Sequence, residues 1–389
     1  MQFYPLAHPV RLLETRSGES GCIAPGVPIT ANTSLTVPAR GTCDGLNIPA
    51  NAAAVTGNVT SVNSGGGYLT IYPSDAAQPF VSNSNYTPNQ ILNNVFTVGL
   101  GAADGAFKIY VVTNTDVVVD ITGYYAPPGA GGLFFHPLPA PVRLLETRAG
   151  EAVGCFRPAT PLLANQDFLQ QGNGTCGIPG TALALVGNAT TVSPQAGGYL
   201  NLFPADAARP FIASGNYLTN QILNSPFTVG LSPSGQFKVY TSAQTDLVID
   251  VLGYYSADAS DVNGAGLLFS PMTPARLLDT RLGETACFTP GIPIPAATDT
   301  PQAARGVCTI PATAQAIVGN AAVVTPGLGG FLTFWPSNAT RPFVASSNYV
   351  AGEILNRHFT VGLGLDGAFK IYTSTPTHLV IDVSGSFAP

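Results

Sequence analysis

Charged side chains are scarce in this chain of 389 residues, and lysine is almost absent. Asp, Glu, Lys and Arg make up 9% of the sequence, against about 25% in an average soluble protein. The lysines are isolated, at Lys108, Lys238 and Lys370, and no basic run with interleaved aromatic residues occurs. A phosphate backbone needs such a surface, so the sequence argues against a nucleic-acid partner.

Long apolar runs are also missing. A membrane-spanning helix needs about 20 consecutive apolar residues, and no segment of this chain approaches that length. We therefore expect no membrane span. The start of the chain, MQFYPLAHPVRLLETR, lacks the basic segment and apolar core of a signal peptide, as expected of a mature or trimmed chain.

What the chain does contain is a threefold internal repeat. The segments HPVRLLETRSGE, APVRLLETRAGE and TPARLLDTRLGE begin at His8, Ala140 and Thr273, which gives a repeat length of about 130 residues. Later blocks, such as ILNNVFTVGL, ILNSPFTVGL and ILNRHFTVGL, follow in the same register. The copies predict three domains, at 1–126, 133–256 and 267–389, joined by linkers at 127–132 and 257–266 that are rich in small residues.

Each copy has the pattern of short strands. Val, Ile, Thr, Tyr and Phe alternate with a period of two between frequent Gly and Pro, and no segment keeps a helical period. This pattern favours an all-β fold of three tandem β-sandwich domains, with a jelly-roll or other Greek-key topology that spacing alone does not specify. Because solenoid and propeller repeats are about 20–50 residues long, we expect separate domains strung along the chain.

The six cysteines occur as one pair per copy, at the same place in each. Free buried thiols are one interpretation, and zinc is disfavoured because no histidine accompanies the pairs. Disulfides form in oxidising compartments, so bridges predict an extracellular or cell-surface protein. Among the possible pairings, repeat symmetry favours three bridges within the copies: Cys22–Cys43, Cys155–Cys176 and Cys287–Cys308.

The few charged residues also recur by copy. Each copy opens with two arginines around an acid and closes with one aspartate. In an otherwise neutral domain, this set favours structural ion pairs between the start and the end of a copy, through bidentate arginine contacts. A site for a glycan or a carboxylate ligand is the alternative. The candidate residues are Arg11, Glu14, Arg16 and Asp120 in the first copy, Arg143, Glu146, Arg148 and Asp250 in the second, and Arg276, Asp279, Arg281 and Asp382 in the third.

The residues that catalysis usually needs are missing. Glu14 and Asp120 are disfavoured as an acid and a base, because nothing in the sequence separates their pKa values. The four histidines, His8, His136, His358 and His378, occupy different positions in the aligned copies, and no metal, phosphate-loop or nucleophile motif appears. We therefore expect no enzyme, no catalytic residue, no metal and no cofactor.

The opening PVRLLETR, the central GYLTIYP and the closing VVVDITGYY resemble a tandem β repeat of secreted and surface proteins of bacteria, including actinobacteria. Copies in that family read close to PVRLLDTR and DVxGYF. The resemblance spans essentially the whole chain. It implies an exported, non-catalytic module, often an accessory to other domains, and it brings no known active site.

These observations favour a non-catalytic extracellular structural protein, a subunit of a self-assembling filament, sheath or surface layer. Low charge weakens self-repulsion and promotes association. We expect end-to-end contacts between chains, made by the apolar start of the first repeat at Phe3 and Tyr4, because an open strand edge can pair with another chain. The alternative is a multivalent module that binds cell-wall or other cell-surface polysaccharide.

Overall fold

The computed structural model describes all 389 residues, and every regular element in it is a β-strand. It contains no helix that could cross a membrane. The first repeat forms ten strands: β1 (Gln2–Glu14), β2 (Thr33–Pro38), β3 (Gly41–Cys43), β4 (Leu46–Ile48), β5 (Ala54–Val62), β6 (Gly67–Pro73), β7 (Ser84–Tyr86), β8 (Leu92–Gly99), β9 (Ala106–Val111) and β10 (Asp116–Ala126).

The second and third repeats follow the same plan, with a short hairpin between them. The second repeat comprises β11 (Phe134–Glu146), β12 (Gln166–Gln171), β13 (Ala182–Val192), β14 (Gly198–Pro204), β15 (Gly215–Tyr217), β16 (Leu223–Gly230), β17 (Gln236–Thr241) and β18 (Asp246–Ser256). The hairpin is β19 (Ser260–Asp261) and β20 (Gly264–Ala265). The third repeat comprises β21 (Leu268–Asp279), β22 (Thr300–Ala303), β23 (Ala316–Val324), β24 (Gly330–Pro336), β25 (Ser347–Tyr349), β26 (Ile354–Gly362), β27 (Ala368–Thr373) and β28 (His378–Ala388).

Each repeat builds two four-stranded antiparallel sheets. In the first repeat the strand orders are β1-β10-β5-β8 and β2-β9-β6-β7, and the other repeats have the same two orders. The strand that begins a repeat therefore pairs with the strand that ends it. Close packing in the first sheet requires glycine at Gly57, because a Cβ atom there would lie 2.1 Å from the backbone oxygen of Asp120.

The six sheets form a six-bladed β-propeller, and the prediction of three separate β-sandwich domains is wrong. The edge strands β8, β16 and β26 contact one another, and each repeat contacts both of the others. Strand β8 is buried along its whole length, so it is not the outer edge of an isolated domain. The repeat is longer than a single propeller blade because one copy supplies two blades, whose strands alternate in the sequence.

Aromatic side chains close the centre of the propeller. Six buried rings, two from each repeat, pack in one cluster: Phe3, Tyr125, Phe135, Tyr255, Phe269 and Phe387. The backbone joins the same segments in a ring through three contacts: Phe3 with Leu133, Phe135 with Leu267, and Phe269 N with Met1 O at 2.8 Å. The start of each repeat is thus held by another repeat of the same chain.

This ring corrects the predicted end-to-end assembly through Phe3 and Tyr4. Phe3 is 1% exposed and packs on Tyr255 with 4.3 Å between the ring centroids. Tyr4 stacks on Tyr124, and its hydroxyl donates to Pro127 O at 2.9 Å. The apolar start of the first repeat is occupied inside the molecule, since the second and third repeats cover it.

The two predicted linkers differ in structure. Residues 127–132 contain no strand, whereas 257–266 contain the β19–β20 hairpin. Asp261 of the hairpin accepts a hydrogen bond from the Tyr254 hydroxyl at 2.5 Å, and Asp258 O lies 2.9 Å from Nε2 of the buried His136. The segment 257–266 is therefore attached to the second repeat and is not a free linker.

Candidate functional site: the three repeat junctions

Each repeat places an arginine, an aspartate and an asparagine side by side on three neighbouring strands. In the first repeat Arg11 of β1 lies opposite Asp120 of β10, which lies opposite Asn58 of β5. Residues directly opposite each other in antiparallel strands point to the same face, so the three side chains form a row. We call these sets the Arg–Asp–Asn rows; the other two are Arg143, Asp250 and Asn188, and Arg276, Asp382 and Asn320.

The arginine of each row forms hydrogen-bonded ion pairs with two acids. Arg11 donates from Nε to Asp120 Oδ1 at 2.9 Å and from Nη2 to Oδ2 at 3.4 Å, while Nη1 donates to Glu14 at 3.3 Å. Glu14 also accepts from Arg16 Nε at 2.9 Å and from Arg16 Nη2 at 2.6 Å. The structure thus brings the four charged residues predicted for the first repeat into one cluster. Two arginines face two carboxylates, so the cluster carries no surplus charge.

The same contacts recur in the other two repeats. Arg143 Nε donates to Asp250 at 2.9 Å, and Arg276 Nε donates to Asp382 at 2.9 Å. The second arginine of each repeat also binds the opening acid through Nε and Nη2. Arg148 donates to Glu146 at 2.8 and 2.7 Å, and Arg281 donates to Asp279 at 3.0 and 2.6 Å. This recurrence shows that the cluster belongs to the fold of the repeat.

In the second and third repeats the pKa values of the two acids shift in opposite directions, contrary to the expectation from the sequence. Burial raises the pKa of Asp120 to about 6, against the opposing charge of Arg11, and it raises the pKa of Asp250 as well. The opening acid behaves differently. Burial opposes ionisation of Glu146, but hydrogen bonds from Arg148 hold its pKa below the usual range.

The raised pKa does not make Asp120 an accessible acid. Asp120 is 1% exposed, and both of its carboxylate oxygens bind Arg11. A general acid must reach the proton-accepting atom of a substrate within hydrogen-bond distance. Asp120 lies beneath the guanidinium, so its geometry is that of an ion-pair partner.

The three predicted disulfides are confirmed. Cys22–Cys43, Cys155–Cys176 and Cys287–Cys308 have Cα–Cα distances of 5.6, 6.1 and 5.9 Å, and no free cysteine remains. Cys22 N donates to Arg11 O at 3.1 Å, so the bridge also holds the strand that carries the arginine. Three such bridges indicate folding in an oxidising compartment.

A loop of the next repeat covers each Arg–Asp–Asn row. Asn58 Nδ2 donates to Ala213 O at 2.6 Å, and the equivalent Asn188 Nδ2 donates to Ser346 O at 2.8 Å. At the third junction Asn356 Nδ2 donates to Ser82 O at 3.0 Å. The repeats therefore meet head to tail in a closed cycle, in which the second covers the first, the third covers the second, and the first covers the third.

The covering loop exposes a phenylalanine beside the partly buried arginine of the row. Phe211 is 84% exposed, and its ring centroid lies 5.8 Å from the guanidinium carbon of Arg11. The equivalent distances are 5.2 Å from Arg143 to Phe343 and 5.1 Å from Arg276 to Phe80. These are cation–π distances, and an aromatic ring left this open has a face available to a ligand.

At two of the three junctions these groups line clefts, which we call the junction clefts. The cleft beside Phe211 and Arg11 has a volume of about 790 Å³, and its walls include His8 and Asp44 of the first repeat and residues 206–212 of the second. The cleft beside Phe80 and Arg276 measures about 520 Å³. Both volumes lie in the range of small-molecule sites.

The exposed phenylalanines and the bridging asparagines were not predicted from the sequence. The recurrent QPF, RPF and RPF segments contain the three phenylalanines, but an aromatic residue next to a strand is ordinarily assigned to the core. Asparagine in a β protein usually closes a turn, whereas Asn58 lies in the middle of a strand. An uncharged polar residue repeated at a mid-strand position was the available signal.

No cluster of three or more His, Cys, Asp or Glu side chains in the structure is arranged to hold a metal ion. The histidines remain scattered in the fold. His136 stacks on Tyr254 at 5.1 Å, and His378 Nδ1 lies 3.1 Å from Thr280 O. His8 lines a junction cleft, but its equivalents in the other repeats are Ala140 and Thr273, so it is not a general feature of the clefts.

Comparison with protein-family models finds no match to this chain. Comparison with curated proteins finds no significant similarity.

Proposed function

We propose that this protein is a non-catalytic, extracellular binding module that uses its junction clefts and the exposed phenylalanines of its three repeat junctions to hold a polysaccharide. The observation that carries the proposal is the exposed phenylalanine at the same place in every junction, between 63% and 84% exposed. Monomeric proteins bury most large aromatic side chains. Three equivalent exposures at the repeat junctions, two of them beside a cleft, are therefore better explained by a recurring ligand than by chance.

The chemistry of the clefts favours a neutral sugar polymer. The arginines and acids of each Arg–Asp–Asn row cancel in charge, so a junction offers little attraction to a polyanion or a polycation. It offers an aromatic face together with donors and acceptors on the rim. Sugar rings present apolar faces and hydroxyl groups, and they match this combination of an apolar wall with a few polar groups.

The closed cycle of repeats supports multivalent binding. A polymer with repeating units can contact two or three junctions at once, and the second contact is then intramolecular. Avidity gained in this way exceeds single-site affinity by about 10²–10⁴-fold. Weak individual sites, as expected for an aromatic face with few charged contacts, are then sufficient.

Substitution of the phenylalanines tests the proposal. Phe80→Ala, Phe211→Ala and Phe343→Ala should each weaken sedimentation with insoluble neutral polysaccharide, such as cellulose, chitin or isolated cell wall, by roughly tenfold or more. The triple variant should lose binding. Melting temperatures should change little because the rings are exposed, and Leu365→Ala, at a residue that is 90% exposed, serves as the control.

Retained binding by the triple variant to a polymer that the wild type binds would refute this role of the clefts. If the wild type binds none of these polymers, the proposal of a neutral polysaccharide ligand fails.

A second candidate is a subunit of a self-assembling filament, sheath or surface layer. It is favoured by the low charge and by isolated apolar side chains at the surface, among them Val262 and Leu282, each 87% exposed. Light scattering and electron microscopy of the purified protein at rising concentration test it. A strictly monomeric protein at high concentration would remove this candidate and would leave polysaccharide binding untouched.

A further inference from the structure

One buried residue breaks the threefold symmetry of the propeller. In strand β26 of the third repeat, Arg357 takes the place held by Asn94 in the first repeat and Ser225 in the second. Arg357 is 2% exposed and lies where β26 meets β8 of the first repeat. The only guanidinium buried to this degree is thus at a junction of repeats, in a position where the other repeats have a small uncharged side chain.

The guanidinium of Arg357 is only partly hydrogen-bonded. Its Nη1 donates to Asn93 O at 3.2 Å and to Asn356 O at 3.4 Å. Nε and Nη2 are buried and have no partner, and no carboxylate lies within 4.0 Å of the group. A buried charge without a partner costs several kcal/mol, and buried donors are nearly always satisfied.

The Arg–Asp–Asn rows show which group the Nε and Nη2 atoms of an arginine bind elsewhere in this protein. Arg11, Arg143 and Arg276 each use Nε and Nη2 to grip an aspartate. Arg357 presents the same pair of donors without an acid. Planar N–H forks of this kind match anions bidentately.

A buried hydroxyl occupies a position that the repeat register relates to Arg357. Ser347 is 1% exposed, and its hydroxyl has no partner. It takes the position of Gly215 in the second repeat, where a Cβ atom would lie 2.1 Å from the hydroxyl of Ser225, the equivalent of Arg357. The equivalent Ser84 of the first repeat is also buried without a partner, so this hydroxyl is shared between repeats, and the case for a ligand rests on the guanidinium itself.

We propose that Nε and Nη2 of Arg357 bind a small inorganic anion of the halide class at the junction of the third and first repeats. Burial limits the ligand to a small ion, since 2% exposure leaves no room for a polymer or a peptide chain to reach the group. The ion balances the guanidinium charge and holds two repeats together. It is separate from the junction clefts and independent of the proposed function.

Thermal unfolding with and without chloride tests the proposal. The ionic strength is held constant by exchanging chloride for gluconate, which is too large for the site. The unfolding midpoint of the wild type should rise with chloride and then saturate, as expected for a ligand that binds the folded state. Arg357→Asn and Arg357→Ser introduce the residues of the other two repeats and serve as matched variants, whose midpoints should show no saturating rise.

Bromide gives the direct readout. A crystal of the wild type grown in bromide should show an anomalous peak within hydrogen-bond distance of Arg357 Nε and Nη2, and the Arg357→Ser crystal should lack it. A peak at this place supports the site. An absent peak, or a chloride dependence that is the same in the wild type and both variants, overturns it.

Discussion

The buried His358 predicts how the stability of this protein depends on pH. His358 lies beside Arg357, and its Nε2 is 3.4 Å from the Thr97 hydroxyl of the first repeat. Burial lowers its pKa to about 3 from an ordinary value of 6.5. The imidazole therefore binds a proton near pH 6.5 in the unfolded chain, but only near pH 3 in the folded chain. Stability from this residue is complete above pH 6.5 and is lost as the pH falls towards 3.

The size of the loss follows from the two pKa values. Each unit of difference corresponds to about 1.4 kcal/mol between the protonation states. Linkage then gives a loss of about 2 kcal/mol at pH 5 and about 3 kcal/mol at pH 4, relative to pH 8. A loss of this size is a large share of the stability of an ordinary domain.

His358→Val isolates this contribution, because Val95 holds the same position in the first repeat. Unfolding in urea is followed by the fluorescence of the single tryptophan, Trp335, which is fully buried. The wild type should lose about 2 kcal/mol more than His358→Val between pH 8 and pH 5. The buried aspartates titrate in both proteins and cancel in the difference. Parallel pH profiles of the two proteins would refute the reasoning.

Three further outcomes test the fold. Arg143→Ala leaves Asp250 buried without its partner and should lower the unfolding free energy in urea by about 3–5 kcal/mol, and an unchanged value would point to a role for Arg143 in ligand binding alone. Phe3→Ala removes a ring from the central cluster and should cost about 3–5 kcal/mol, whereas unaltered stability would show that the closed ring of repeats does not form. Mass spectrometry of a non-reduced digest should find Cys22–Cys43 and its two equivalents as the main species. Crossed peptides or free thiols as the main species would contradict this pairing.

The local features of the repeat were readable from the sequence because short-range physics determines them. Alternation with a period of two predicted strands, and the structure contains no helix. Repeat symmetry predicted the disulfide partners, since equivalent positions in equivalent environments form equivalent bonds. The charged residues at the two ends of a copy are brought together because the first and last strands of a repeat pair, with Arg11 opposite Asp120.

The arrangement of the repeats was not readable in the same way. Alternation tells which side of a strand is apolar, but strands β8, β16 and β26 carry polar residues that are buried against other repeats. Asn93 and Asn94 look like surface residues in the sequence, and they are 7% and 1% exposed. Each donates to a partner in its own repeat, Thr60 or Asn83, and also to a partner in another repeat more than 100 residues away in the chain.

The sequence by itself determined the repeat, its strands, its disulfides and the charged residues available to form pairs, because these depend on neighbours within one copy. Only the tertiary structure decided that the copies close into a six-bladed propeller. That closure buries Phe3, opens Phe80, Phe211 and Phe343 beside the arginines of neighbouring repeats, and leaves Arg357 without an acid. These outcomes depend on which surfaces of the three copies pack together. The copies pack in the way that buries the most apolar surface between them, and the sequence of one copy does not specify that arrangement.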